Sequence, residues 1–520
     1  MRFDLLLMEV FMKKSGLFVL LISALLFVVS CGGEDDDPVD TGDTVATDTG
    51  SSDTGSSSGD TGSGDTGYTG DTGSGDTGST TPPDNGDTTQ QGVYVNCTPG
   101  ERTECYEGPS GTADVGLCKK GYKECVEDGT DWSECREQVL PRAEICGDGI
   151  DQDCDGSDLT AENAIDIDGD GYTYCNGDCC ETTWDCKTDP ARVGPNSFEI
   201  PGNHIDDNCD GNIDESASYC DSGLSPDSAN PMDMAAAMDL CPAYDDTMFG
   251  VINAKLLFPD GTEGAIPAAQ HKILPVFGNL NVPNAGMSLL AFTSGTLNGK
   301  SEDANNNTES QPPQDWFQAN GGETFPDSPD CGGGFIMGQT DPGKPPVNDP
   351  VMLELEIRAP NNAESFSVDV NYFSREFPVY VCQYNDFFVM LLDSNFTTDK
   401  PGYENPADKN IAMDENKNPM GINLAKSGLF KVCSPRPEYP SCAGDEKLAG
   451  TGLDSGCGQT GMQSCGATGW LKVRGNIIPG ETFKLRMALW DTNDHVLESL
   501  VLLDNFTWYE SAQKPGISDK

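Results

Sequence analysis

The sequence predicts a mainly β protein, with a β-sandwich or jelly roll in its C-terminal part. A disulfide-rich, loop-rich acidic module precedes it, behind a disordered N-terminal stalk. Three observations carry this expectation. From about residue 220, apolar residues recur at every second position in short runs parted by Gly, Pro and Asn, the pattern of half-buried strands. Of the 21 cysteines, all but Cys31 fall in two even groups, Cys97 to Cys241 and Cys331 to Cys465, which reads as disulfides in an oxidising compartment. Residues 40–91 are Asp, Gly, Ser and Thr with almost nothing to bury, so they cannot offset their ordering entropy.

The chain has 520 residues and a formal charge of −56. So acidic a surface repels nucleic acid and anionic headgroups and favours cations. The length allows two or three domains.

The N-terminus supplies an address. Read from Met12, Lys13 and Lys14 precede an apolar run at 16–29 that ends in "FVVSCGG". The run is too short for a comfortable membrane span. Ser30 before Cys31 resembles a bacterial lipobox, which implies cleavage before Cys31 and a diacylglyceryl group on its sulfur. Gly32, rather than Asp, follows the anchor and favours the outer membrane. The expected protein is exported and lipid-anchored at the outer membrane or cell surface. The competing reading is an ordinary secretory signal.

Segments follow in order: a signal peptide with lipobox at 1–31, a linker at 32–92, a Cys-rich stapled module at 93–141, an acidic metal-binding module at 142–219 and the sandwich at 220–520. The stapled module has few aliphatics, so its short strands need cross-links. Cys97, Cys105, Cys118, Cys125 and Cys135 leave one partner to be found outside it. Over residues 144–239, Lys187 and Arg192 are the Lys or Arg side chains against many Asp, and bound cations would relieve the repulsion. In the sandwich, "VMLELEIR" (351–358), "FSVDVNYF" (366–373) and "TFKLRMALW" (482–490) alternate. "FFVMLLD" (387–393) is a continuous apolar run that reads as a central strand. "MDMAAAMDLC" (232–241) is the best helix candidate, its Met residues serving packing rather than copper.

Three stretches of the acidic module share a template: Asp151, Asp153, Asp155 and Gly156; Asp166, Asp168, Asp170 and Gly171; Asp206, Asn208, Asp210 and Gly211. Calcium takes six to eight hard oxygens around a tight curve, and alternate carboxylates before a glycine supply both. The twelfth position, a bidentate Glu in a full EF-hand, is Glu162 in the first loop. It is Gly177 in the second, with Asp178 one residue late, and Ala217 in the third, where Asp214 fits the ninth. The loops resemble the calcium loops of thrombospondin type 3 repeats or dockerins more than EF-hands, and a neighbouring loop could supply missing ligands. The bland alternative is acidic turns that Asp and Gly form anyway.

"EICGDGIDQDCDGSD" (144–158) and "EIPGNHIDDNCDGNIDE" (199–215) are similar to the Asn/Asp-Gly-Ile-Asp-Asp-Asp-Cys-Asp-Gly motif of the MopE-like metal-binding proteins of deltaproteobacteria. The resemblance implies a metal, and copper is the one proposed for the family's namesake. Three His in the whole chain, His204, His271 and His495, argue for calcium over copper, which prefers imidazole. Thiolates at Cys175, Cys179 and Cys180 would be a soft-metal alternative to disulfides.

The C-terminal strands with "GWLKVRGNIIPGETFKLRMALWDTNDHVLESLVLLDNFTW" (469–508) resemble the choice-of-anchor L domain. That implies a surface-displayed β module without established enzymatic activity. Asp386, Asp491, Asp494 and Asp504 are candidates for a further metal site. No H-E-x-x-H occurs, and no G-x-S-x-G outside the low-complexity linker, so no enzyme is expected. The expected function is structural calcium binding and display of a sandwich for adhesion to a surface or extracellular partner. Copper binding is the first alternative. A glycan-binding or glycan-degrading protein is the second, with Trp316, Tyr372 and Tyr384 as its sugar platform.

Overall fold

The computed structural model describes residues 97–520, except 143, 162–163, 217, 244, 246, 303–305, 327, 333–346, 458–464 and 520. The lipobox with Cys31, the linker and Glu162 lie outside the described residues. Residues 90–520 form one compact unit.

The chain begins with β1 (Arg102–Cys105) and β2 (Gly121–Glu124), an antiparallel pair. Cys97–Cys125 and Cys105–Cys135 staple it, and Cys118–Cys154 ties it to the first acidic loop. The outside partner expected from the odd cysteine is therefore Cys154. The acidic module is irregular apart from short helical turns, including α1 (Thr183–Cys186). There Thr182 caps the Trp184 N–H, and Asp185 returns the bond by accepting the Thr182 N–H, a reciprocal cap.

The helix expected over 232–241 forms only in its first half, as α2 (Pro231–Ala236), with Pro231 at its first turn and Asn230 accepting the Met232 N–H. Met234 and Met238 are buried in the core, as a packing role requires. Next come β3 (Gly250–Leu257), β4 (His271–Leu274), β5 (Leu289–Thr293), β6 (Thr296–Leu297), β7 (Ser301–Glu302), β8 (Glu309–Ser310) and α3 (Gln314–Ala319). They are followed by β9 (Val347–Arg358), β10 (Ser365–Ser374), β11 (Phe387–Asp393), β12 (Gly466–Ala467), β13 (Leu471–Asn476), β14 (Thr482–Thr492), β15 (Ser499–Tyr509) and β16 (Gly516–Asp519).

Two antiparallel sheets build the sandwich. One runs β11-β14-β9-β3, with β8 on β9. The other runs β16-β13-β10-β15-β5-β4, with β12 on β10. Leu353, Leu355 and Ile357 of β9 face Phe366, Val368 and Val370 of β10 in the main core. Glu354, Glu356 and Arg358 stay half-exposed, as period-2 alternation requires.

Each sheet is covered on its outer face as well. Trp316 and Phe317 of α3 pack with Phe387, Val389, Leu391 and Trp490. Phe277, Leu297, Leu448 and Leu453 cover Phe373, Leu500 and Leu502. This second covering explains β11. Its continuous apolar run buries both faces, yet the strand is an edge strand of its sheet, not a central one. Residues 409–420 shield the edge: Phe388 N–H donates to Met420 O, and Ile411 N–H to Met390 O.

Of the three aromatics expected to form a sugar platform, Tyr384 is half-buried and the other two are withdrawn into the core. Trp316 and Tyr372 are fully buried. Trp316 packs edge-on against Trp490, centroids 5.8 Å apart, and the Tyr372 hydroxyl meets Ser499 Oγ at 2.7 Å.

The acidic module lies directly on the sandwich. Asn361 Nδ2 donates to Asp170 O (3.1 Å) and Asn196 Nδ2 to Asn361 Oδ1 (3.0 Å), while Asn362 and Phe198 exchange two bonds. The change of composition near residue 220 is thus not a gap in the packing.

Candidate metal centre

All three acidic loops fold in one way. The first Asp reaches over the turn: Asp151 accepts from Asp155 and Gly156 N–H, Asp206 from Asp210 and Gly211 N–H, and Asp166 from Gly169 and Gly171 N–H. The third residue caps the fifth: Asp153 Oδ1 on Asp155 N–H, Asp168 Oδ1 on Asp170 N–H and Asn208 Oδ1 on Asp210 N–H, each at 2.9–3.0 Å. The fifth caps the seventh: Asp155 on Ser157, Asp170 on Tyr172 and Asp210 on Asn212. Gly156, Gly171 and Gly211 take φ of 104°, 100° and 92°, which explains glycine at the sixth position. Cys154, Gly169 and Cys209 are left-handed at the fourth.

The first and third loops share a brace that the template did not contain. Glu144 accepts the Asp153 and Leu159 N–H groups, and Glu199 accepts those of Asp207 and Asp214. Both stand seven residues before the first Asp, in "EICGDGID" and "EIPGNHID". The repeat itself was the signal. The brace brings Glu144, Asp151 and Asp153 together, with ligand atoms within 4.8 Å of one another.

The second loop is the deepest in unsatisfied charge. Asp168, Asp170 and Asp178 present ligand atoms within 4.8 Å of one another, as do Asp166, Asp168 and Glu181. Asp168 Oδ2, Asp170 Oδ2, Asp178 Oδ2 and Glu181 Oε1 are buried without a hydrogen-bond partner. Leaving such groups unpaired costs about 1–3 kcal/mol each, more when charged. Burial, with neighbouring carboxylates adding to it, pushes Asp170 and Asp178 up to about 6. Asp153 is raised to about 6 for the same reasons. Gly194 lies over this cluster, where a Cβ would stand 2.5 Å from Asp170 Oδ2. Asp178, placed one residue late by the sequence, is thus brought into the group. Glu181, only 1% exposed, had no signal in the sequence.

Other candidates divide. Asp155 and Asp210 are exposed and cap their own loops. Asp214 turns away from the third loop to accept from Gly202 N–H, His204 N–H and His204 Nδ1; Glu215 instead reaches Asn208 Nδ2 at 2.9 Å. Cys175, Cys179 and Cys180 are held by Cys146, Cys209 and Cys186, so they offer no thiolates. Asp504 stands away from Asp386 and Asp491. It is five residues beyond Ser499 on β15, roughly 16 Å along a strand, where it faces Asp239.

The donors are hard oxygens at a tight curve, a set that fits calcium. His204 is the one imidazole in the acidic module, and its side chain is exposed on a turn.

Residues 141–158 and 185–215 match the family model of the Cu-binding MopE metal-binding motif, and residues 335–507 match that of the Choice-of-anchor L domain. The two matches point to a metal-binding protein of the cell surface. The MopE match covers the first and third loops and leaves the second, with its four unpartnered oxygens, between its two parts. No curated protein and no solved structure matches the chain.

Proposed function

We propose that this chain is a lipid-anchored surface protein whose acidic loops bind calcium as structural ions, and whose sandwich contacts a surface or extracellular partner. The reading is of a binding protein rather than an enzyme, and its acidity disfavours nucleic acid as that partner. The observation that carries it is the pair of overlapping groups Asp168, Asp170, Asp178 and Asp166, Asp168, Glu181, in which Asp168, Asp170, Asp178 and Glu181 each bury an oxygen without a hydrogen-bond partner. A divalent cation would neutralise them and lock a module that has little core of its own. Because the loop backbone bonds to Asn361 of the sandwich, the ion would also stiffen the junction. Extracellular sites of this kind bind at about 0.1–1 mM.

The test is a thermal melt of the oxidised protein in EDTA, in millimolar calcium and in magnesium. Calcium should raise the melting temperature and magnesium should not. The Asp168→Asn/Asp170→Asn double variant should lose most of the rise. An equal response of variant and parent would remove the second loop from the reading. Copper, favoured by the name of the matched motif, enters as a fourth arm. A rise with copper alone would replace calcium with it.

A further inference from the structure

A second group of carboxylates is buried inside the sandwich, far from the acidic loops in sequence. Asp386 precedes β11, and Asp491 lies near the end of β14, where a bulge between Leu489 and Asp491 shifts the register against β9. Bulges re-aim side chains. Glu376 follows β10. Both sheets therefore deliver a carboxylate to the same end of the sandwich. Glu376, Asp386 and Asp491 are 5%, 2% and 2% exposed.

Their partners do not balance them. Asp386 accepts Thr492 N–H at 2.9 Å and Ser499 Oγ–H at 3.1 Å, and its side chain is within hydrogen-bond reach of Asp491. Glu376 Oε2 and Asp491 Oδ1 have no partner. The nearby basic groups are already engaged: Arg375 by Glu498 at 2.6 Å and His495 by Asp349 at 2.7 Å. Burial pushes all three carboxyls up, Asp386 to about 7; the Asp386 charge adds to it at Glu376 and Asp491, and the Asp494 charge adds to it at Asp386. Neutral oxygens surround them, including Ser499 Oγ and the Tyr372 hydroxyl. Asp494, exposed on the loop after β14, acts electrostatically on both Glu376 and Asp386.

We infer that Glu376, Asp386 and Asp491 form an internal site for a hard divalent cation of the calcium class, with Asp494 guiding its entry. Unlike the loop groups, the three do not all lie within 4.8 Å of one another, so a bound cation would draw Glu376 of one sheet toward the Asp386–Asp491 pair of the other and pin the two sheets at this end. The site is independent of the loop sites.

Calcium titration calorimetry on the oxidised full chain tests it, using three variants and the parent. Glu376→Gln should lose one calcium equivalent. In EDTA it should melt no lower than the parent, because the amide keeps the shape of a carboxyl that burial favours in its neutral form. Asp494→Asn should keep that equivalent and weaken it about threefold to tenfold. Asp168→Asn/Asp170→Asn should remove a different equivalent, so failure of the loop reading shows separately. An unchanged count in Glu376→Gln overturns the site and leaves these carboxyls simply protonated. If Glu376→Gln loses its near-UV circular dichroism, Asp494→Asn decides: unchanged affinity at every equivalent overturns the proposal.

Discussion

Gly194 shows how narrow the tolerance around the second loop is. A methyl there would press on Asp170 Oδ2 from 2.5 Å and approach Asp178 Oδ1 at 3.7 Å, filling the space a cation needs. Gly194→Ala should therefore weaken calcium binding at this loop by about tenfold or more, the scale of a disturbed supporting shell. Its melting temperature in EDTA should move little. Unchanged calcium affinity by calorimetry would mean that the ion, if bound, sits elsewhere. At this scale the sequence carried the alternate Asp positions and the sixth-position glycines, because their spacing follows from local turn geometry. Asp178 was within reach of that logic. Glu181 was not, since its arrival beside Asp166 and Asp168 depends on the path of residues 172–181, which no local pattern encodes. Asp214 fits the ninth position by its spacing, and its carboxylate accepts from two N–H groups and an imidazole of the turn at Gly202–His204, a contact that spacing does not encode.

Disulfides set the shape of the acidic elements. Cys118–Cys154 joins the β1–β2 module to the first loop across 36 residues, and Cys179–Cys209 joins the second and third loops across 30. Closing a loop of that length restricts the unfolded chain by about 4 kcal/mol in the chain-entropy account. Replacing both Cys118 and Cys154 with Ala should lower stability by about that much, read from denaturant unfolding, and should weaken calcium response at the first loop more than at the second. Equal weakening at both would show that the loops are coupled through the sandwich instead. The even cysteine groups announced such bonds, but spacing does not fix which pairs form. The strands were legible for a different reason. Alternation in β9 reports one buried face and one half-exposed face. The apolar run of β11 reports burial on both faces and nothing about neighbours, so an edge strand covered by α3 and residues 409–420 reads the same as a central one.

Over the whole molecule, burial of carboxylates makes stability depend on pH in a direction unusual for an acidic protein. Asp239 and Asp504 face each other with Asp221 and Asp369 beside them; burial and these neighbours raise both to about 7. Asp153, Asp170 and Asp178 are raised to about 6. Between about pH 4, where unfolded carboxylates titrate, and those raised values, the folded chain holds more protons than the unfolded one. Stability without metal must then fall as pH rises. His271, whose charged form burial disfavours, works against this below about 6.5, but it is one group against these five and the three raised carboxyls between the sheets. At the acid end Asp315, held well below the usual carboxylate range by Arg486 and Lys409 against its burial, loses its ion pairs as it protonates. In EDTA the melting temperature should therefore peak near pH 5 and drop by about 5 °C or more by pH 8. Calcium should restore most of that loss at pH 8 and little at pH 5, where protons already occupy the carboxylates. A melting temperature in EDTA that climbs steadily from pH 5 to pH 8 would contradict the buried-carboxylate account, whichever cation the loops prefer.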